Sequence, residues 1–345
     1  MEESAAQRVP KVTVLMSVRD EERYLREAID SILAQSFSDF EFLILDDAST
    51  DSSRTIVRGY DDPRIRLIEN QRNLGLARSL NRGIELARGI YIARMDGDDL
   101  SKPERLGKQV AFLDAHSECA AVATYSTKID RDSTDVGLAR TPVDGDEIRR
   151  RLRRANCITH GTVMMRKEAL ERVGRYDEAM ERAQDYDLWL RFSEDHCICT
   201  IPELLYLWRQ HGDSVSVQHL EEQDRFAEMA KHNARVRRVA RLLSAIDRDE
   251  LSPRRGAGCV TELAREEDEF RSPVRDGGGF LARVWRRFPR LSARYYALSH
   301  PRSVREARRV LREYVAGSLE SETAGTALLR IIEAGPMSSR RIDSK

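Results

Sequence analysis

From residue 12 to about residue 126, short apolar runs alternate with polar loops and with stretches that place an apolar residue every three or four positions. The run VTVLM at 12–16 predicts a buried strand. After it, Tyr24, Leu25, Ala28, Ile29, Ile32 and Leu33 form one helical stripe, with Asp20 expected as the N-cap and Glu21 and Glu22 in the first turn. The same alternation predicts strands at 40–45, 65–68 and 90–95, separated by helices at 52–60 and 76–87, the latter turning Leu76, Leu80, Ile84 and Ala87 inward. Short apolar strands alternating with amphipathic helices are the pattern of βαβ units, so the expected class is α/β with a mostly parallel sheet flanked by helices.

The rhythm changes after residue 100. Pro103 opens a helix carrying Leu106, Val110 and Leu113, and further strands are expected at 120–125 and 163–165. From about 218 strands give way to Arg-rich amphipathic helices broken by the linker-like stretches SPRRGAG and RDGGG. The expected organisation is a catalytic domain at 10–217, with halves at about 10–115 and 116–217, and a helical C-terminal extension at 218–345. Within the extension, 303–319 sets Val304, Leu311 and Val315 opposite Arg305, Arg308 and Arg312. The stretch 280–296 interleaves aromatics with Arg, a composition suited to peripheral contact with a membrane or to homo-oligomer formation. Pro289 interrupts its amphipathic run and favours a packed helical appendage.

Composition narrows the partners. Lys and Arg number 58, as do Asp and Glu, so no bulk field draws a nucleic acid and any charged site is local. The five cysteines include no CxxC pair, a distribution expected of a reducing compartment, and Cys197-Ile198-Cys199 is expected to serve packing. No window reaches the roughly 18 apolar residues of a membrane span, and MEESAAQRVP lacks the features of a secretory signal. The expected location is cytoplasmic, with the inner membrane face as the alternative the tail leaves open.

Candidate chemistry sits at predicted strand ends, where ligands gather in parallel sheets. Asp46-Asp47 closes the second strand, and IYIARMDGDD closes the fourth with Asp96, Asp98 and Asp99 around Gly97. The first loop, from Ser17 to Arg23, has no glycine, and neither GxGxxG nor GxxxxGK[ST] occurs, so a backbone phosphate cradle is not expected. Carboxylates can instead handle a diphosphate through a hard divalent cation, Mn²⁺ or Mg²⁺, with Gly97 giving the backbone room. Turn chemistry alone accounts for DGDD equally well.

The order of motifs extends the reading. The segments VTVLMS at 12–17, AIDSILAQSF at 28–37, LDDASTD at 45–51, Asn73-Leu-Gly75, Asn81-Arg-Gly83, DGD at 96–98, PERL at 103–106, QDYDLWLR at 184–191 and WRQH at 208–211 together resemble glycosyltransferase family 2, whose members have the GT-A fold. The resemblance covers about residues 10–217. It implies an inverting, metal-dependent transfer from a UDP- or dTDP-sugar donor to a saccharide or lipid-linked acceptor, in cell-surface polysaccharide assembly. It further implies that Ser17, Asp47, Asn73, Arg78 and Asp96 line the nucleotide-sugar site, that Asp98 and His211 hold the metal, and that Asp185 is the catalytic base. His160, Gln184, Trp189 and Arg209 fall in the acceptor region or closing loop.

Gln184 stands where the family usually has Glu, which removes a negative neighbour and tends to lower the pKa of Asp185. Trp189 fits either a sugar-stacking platform or a core position, and its helical spacing favours the core. Two rivals remain at this stage: a sugar nucleotidyltransferase, for which the first loop lacks the glycine-rich basic character, and a non-catalytic nucleotide-sugar-binding or scaffold protein.

Overall fold

The computed structural model describes residues 9–210 and 220–247. Strand β1 (Val12–Val18), helix α1 (Leu25–Leu33), β2 (Phe40–Asp46), α2 (Ser53–Arg58), β3 (Ile65–Glu69), α3 (Leu76–Leu86) and β4 (Tyr91–Met95) form the expected alternating units. The short β5 (Leu100–Ser101), α4 (Arg105–Ala115), the long β6 (Cys119–Ile129), β7 (Asp135–Ala139) and α5 (Gly145–Leu152) follow. A 3-10 turn (His160–Thr162), β8 (Met164–Arg166), α6 (Lys167–Arg172), α7 (Gln184–Asp195), β9 (Cys197–Arg209) and α8 (Leu220–Asp247) complete the described elements.

Nine strands share one sheet in the order β3-β2-β1-β4-β8-β6-β9-β5, with β7 on the free side of β6. Pairing is parallel from β3 to β4, as the alternation predicted. Beyond β4 the sheet is mixed: β8 runs antiparallel to β4 and β6, whereas β6 and β9 run parallel. The reversal of strand order between β1 and β4 makes their carboxyl ends a topological switch point, the place where ligands bind in open α/β sheets.

The apolar strands are continuous because both faces of the sheet are covered. Val12, Val14, Met16 and Val18 of β1 join Phe40, Phe42 and Ile44 of β2 beneath α1 and α4, while Leu15, Leu43 and Leu45 point the other way, toward α3 and α7. The compact unit built on this sheet extends to Ala234. Ala230 and Ala234 on the first part of α8 are buried against the same layer as Trp189 and Leu190. The stretches 280–296 and 303–319 lie outside the described residues. Among the described residues no helix is long and apolar enough to cross a membrane.

Candidate active site

The first loop is shaped by its neighbour across the switch point. Asp20 has a left-handed backbone, φ 54°, and its Oδ1 accepts from the Thr50 amide at 2.7 Å. The Glu21 amide donates to Ser53 Oγ at 2.9 Å, and the Glu22 amide to Asp51 Oδ2 at 2.9 Å. Asp20 therefore does not cap α1, which begins four residues after Glu21, at Leu25. Its carboxylate organises the loop after β2 instead, because tertiary partners outcompete the local cap.

The DGDD turn is held from below by buried cations. Arg94, inside β4 and 1% exposed, pairs through Nη2 with Asp96 Oδ1. Asp99 is also 1% exposed, and its Oδ1 accepts from the Arg209 amide at 2.7 Å. The Arg209 side chain donates from Nε to the Asp98 carbonyl at 2.8 Å, from Nη1 to Ser133 Oγ at 2.9 Å and from Nη2 to Glu27 Oε2 at 3.0 Å. Arg209, expected in the acceptor region or closing loop, is thus a buried clamp on the turn, with its donors engaged within the protein. Asp99, the last carboxylate of the turn, is the anchor for the Arg209 backbone.

Glu21 adds a fourth carboxyl group. Its Oε2 is buried without a hydrogen-bond partner and lies over Gly97, where a Cβ would sit 1.8 Å away. Only glycine admits this approach. Burial, then the charges of Asp98 and Asp96, push the Glu21 carboxyl well above its usual range. Burial followed by Asp98 does the same to Asp99. For Asp96 burial also raises the pKa, opposed by the Arg94 guanidinium. Strand-end carboxylates with an orphaned buried carboxyl oxygen beside them are hard oxygen donors, the chemistry a divalent cation takes.

At the end of β2, Asp47 is buried and saturated from one side. Oδ1 accepts from Asn70 Nδ2 and the Leu74 amide, both at 2.8 Å, and Oδ2 from the Gly75 amide at 2.9 Å. Asn73 Oδ1 accepts from the same Gly75 amide at 3.0 Å, so both residues shape the turn leading into α3. Ser17, 7% exposed, sits near the end of β1 beside Leu45. Arg78 is exposed on the first turn of α3, with its Nε donating to Glu178 Oε2 at 3.1 Å.

Asp185 occupies the opposite side, as the second residue of α7. The helix is preceded by Ala183 in a left-handed conformation, φ 52°, so Asp185 is not its N-cap. Its Oδ2 accepts from Asn156 Nδ2 at 2.8 Å. The net pKa direction is upward: burial outweighs the Asn156 bond, and the Asp96 charge adds to the rise. The lowering expected from Gln184, the first residue of α7, is overridden by desolvation. The same interaction places Asp96 and Asp185 within electrostatic reach of each other.

His160 Nε2 lies 2.7 Å from the Tyr176 hydroxyl, and its ring meets the edge of Trp189. Burial, then Arg94, holds the imidazole well below its usual pKa, so His160 is neutral. Trp189 is 0% exposed, so of the two readings its helical spacing favoured the one the structure has: it is core. His211 lies outside the described residues. The sequence reading assigned no site role to Glu21, Arg94, Asn156 or Tyr206. Glu21 alone had a visible signal, its place in the loop after β1, which helical periodicity assigned to a first turn.

The switch point between β1 and β4, with strand-end carboxylates on its rim, defines the α/β class of GT-A glycosyltransferases. Residues 13–174 match the model of the family described as glycosyl transferase family 2. EpsE of Bacillus subtilis (strain 168), named as a glycosyltransferase, is 40% identical over 211 residues, covering 59% of this chain and 75% of that one. The amylovoran biosynthesis glycosyltransferase AmsE of Erwinia amylovora is 28% identical over 209 residues, covering 59% of this chain and 78% of its own length. The chain belongs to glycosyl transferase family 2 and is a glycosyltransferase. Its fold is similar to that of S. aureus TarS residues 1–349 solved with UDP-GlcNAc, with TM-score 0.57, 17% identity, and coverage of 94% of this chain and 92% of that one.

Proposed function

We propose that this glycosyltransferase moves a sugar from a UDP- or dTDP-sugar to a saccharide or lipid-linked acceptor, with inversion, in the assembly of a polysaccharide. The observation that carries the reading is that two differently set carboxylates, Asp96 and Asp185, lie within electrostatic reach of each other. Asp96 is tied to Arg94 beside Asp98, and Asp185 is raised by burial and by the Asp96 charge. The first group belongs to a donor diphosphate and the second to an acceptor hydroxyl. AmsE, named for amylovoran biosynthesis, supports the polysaccharide context, and TarS in complex with UDP-GlcNAc supports a uridine donor on this fold.

Asp98, with Asp96 beside it, would hold a divalent cation, Mn²⁺ or Mg²⁺. When bound, the cation supplies Lewis-acid neutralisation of the charge on the departing diphosphate. The remaining chemistry falls to the chain itself. Asp47 fixes the 70–75 turn that borders the nucleoside side, and Arg209 fixes the DGDD turn. Asp185, more basic than an ordinary carboxylate and oriented by Asn156, takes the acceptor proton as the hydroxyl attacks the anomeric carbon from the face opposite the diphosphate.

Thermal unfolding against a panel of UDP, dTDP, GDP and ADP, with and without Mn²⁺, tests the donor half. A ligand at about a hundredfold its Kd stabilises by roughly 2.7 kcal/mol, a shift of several degrees. UDP or dTDP is expected to stabilise in a Mn²⁺-dependent way, and Asp98→Ala to lose that dependence. Equal stabilisation by all four nucleotides without Mn²⁺ overturns the donor assignment. Asp185→Asn is expected to keep the nucleotide shift and lose sugar transfer; full transfer activity removes Asp185 as the base.

A further inference from the structure

Far from the switch point, the first residues of β6 and β9 bring three sulfurs together. Cys119 Sγ is bonded to Cys199 Sγ, with the Cα atoms 6.1 Å apart, and Cys197 Sγ lies 3.7 Å from Cys199 Sγ. All three sulfurs fall within 4.8 Å of one another. Cys197 and Cys199, expected to serve packing alone, share one face because residues two apart on a strand point the same way, and Cys199 is disulfide-bonded. The parallel register of β6 on β9, which sets Cys119 against Cys197, supplies the third sulfur.

Gly145, the first residue of α5, packs against the group so closely that a Cβ there would lie 3.1 Å from Cys197 Sγ. Glu118, Asp144 and Asp146 bring negative charge to Cys197, against the single positive charge of Arg149. Burial raises the Cys197 thiol, so the group is not built as an exposed reactive thiolate. Two thiolates on one tetrahedral Zn²⁺, each at about 2.3 Å, stand about 3.8 Å apart, and the Cys197 to Cys199 separation already matches that spacing.

We propose that Cys119, Cys197 and Cys199 form a redox-gated site for one soft divalent cation of the Zn²⁺ class. A dithiol reductant transfers two electrons and two protons to the Cys119–Cys199 disulfide, leaving three thiols and an oxidised, cyclic reductant. Binding of one Zn²⁺ then displaces three protons and gives a trithiolate site with one coordination position left for water. A disulfide oxidant then takes two electrons from Cys119 and Cys199 and is itself reduced to a dithiol, which removes two ligands and releases the ion. The site is independent of the donor carboxylates, which are hard oxygen ligands at the other end of the sheet.

The test uses the full chain, reduced with a phosphine, desalted without oxygen and held in excess Mg²⁺ to occupy carboxylates. Zn²⁺ is titrated in competition with a chromophoric chelator, and Co²⁺ serves as the spectroscopic probe. Reduced wild type is expected to bind one equivalent of Zn²⁺ and to show a thiolate-to-cobalt charge-transfer band that disulfide-forming oxidation abolishes. Cys197→Ser is expected to weaken Zn²⁺ binding at least tenfold, and Cys157→Ser, outside the trio, to leave it unchanged. Equal Zn²⁺ uptake by wild type and by C119S/C197S/C199S overturns the proposal. So does a reduced wild type without the charge-transfer band, a result that needs no variant to fold.

Discussion

Replacing Arg209 with Met keeps the side-chain length and removes every donor from the clamp on the DGDD turn. The lost interactions are the Nε bond to the Asp98 carbonyl at 2.8 Å, the Nη1 bond to Ser133 Oγ at 2.9 Å, and the stacking of the guanidinium 4.3 Å from the Tyr24 ring centre. Each bond from a buried charged donor contributes about 1.5 kcal/mol, and the ring contact about 1 kcal/mol. The ion pair with Glu27 adds little, because Glu27 is 58% exposed and its charge is screened. The expected loss is therefore about 4 kcal/mol, in line with the roughly 3–5 kcal/mol for breaking a buried charged network. Urea unfolding followed by far-ultraviolet circular dichroism reads it as a lower midpoint at constant slope. The Mn²⁺-dependent nucleotide shift should weaken with it, since the Asp98 carbonyl loses its guanidinium donor while Asp99 keeps only the residue 209 backbone amide. A variant that loses less than about 1 kcal/mol and retains the nucleotide shift refutes the clamp. Arg209→Lys should recover only a minor part, because one ammonium cannot reproduce a planar fork.

Other outcomes follow from the same geometry. Gly161→Ala places a Cβ 2.1 Å from the Tyr206 hydroxyl and 2.4 Å from its Cζ, within a ring that is 0% exposed. Overpacking of this kind costs about 1–3 kcal/mol, and a G161A/Y206L double variant should lose much less than the sum of its singles, as a double-mutant cycle can measure. His160, held neutral by burial and Arg94, binds a proton more readily when unfolded. Its contribution is full above the unfolded pKa of about 6.5 and is lost as pH falls below it, with a limiting slope near 1.4 kcal/mol per pH unit. Burial raises Glu21 and Asp99 in the folded state and pulls the other way, so the measurement is the difference between wild type and His160→Gln across pH 5 to 7. A difference that does not change over that window refutes the buried, neutral imidazole.

Much of the donor half was legible in the sequence. Local apolar runs specify buried parallel strands, and the carboxylates at 46–47 and 96–99 follow those runs directly, so their placement on one rim needs no long-range information. Asp185 was legible only through the resemblance, since nothing local distinguishes a base from a helix-end residue. The roles that were misread all depend on contacts distant in sequence. Asp20 looks like a cap until Thr50 claims its carboxylate. Arg209 looks like part of a closing loop until the Asp98 carbonyl and Ser133 engage its donors.

The sequence by itself determined the α/β alternation, the family and the positions of the strand-end carboxylates, because these rest on period and short-range order. Only the tertiary structure decided which charges are buried together: Glu21 over Gly97, Arg209 beneath the turn, and Cys119 beside Cys197 and Cys199. Strand register brings such groups together, and desolvation then sets their protonation and ligand chemistry, neither of which any single segment encodes.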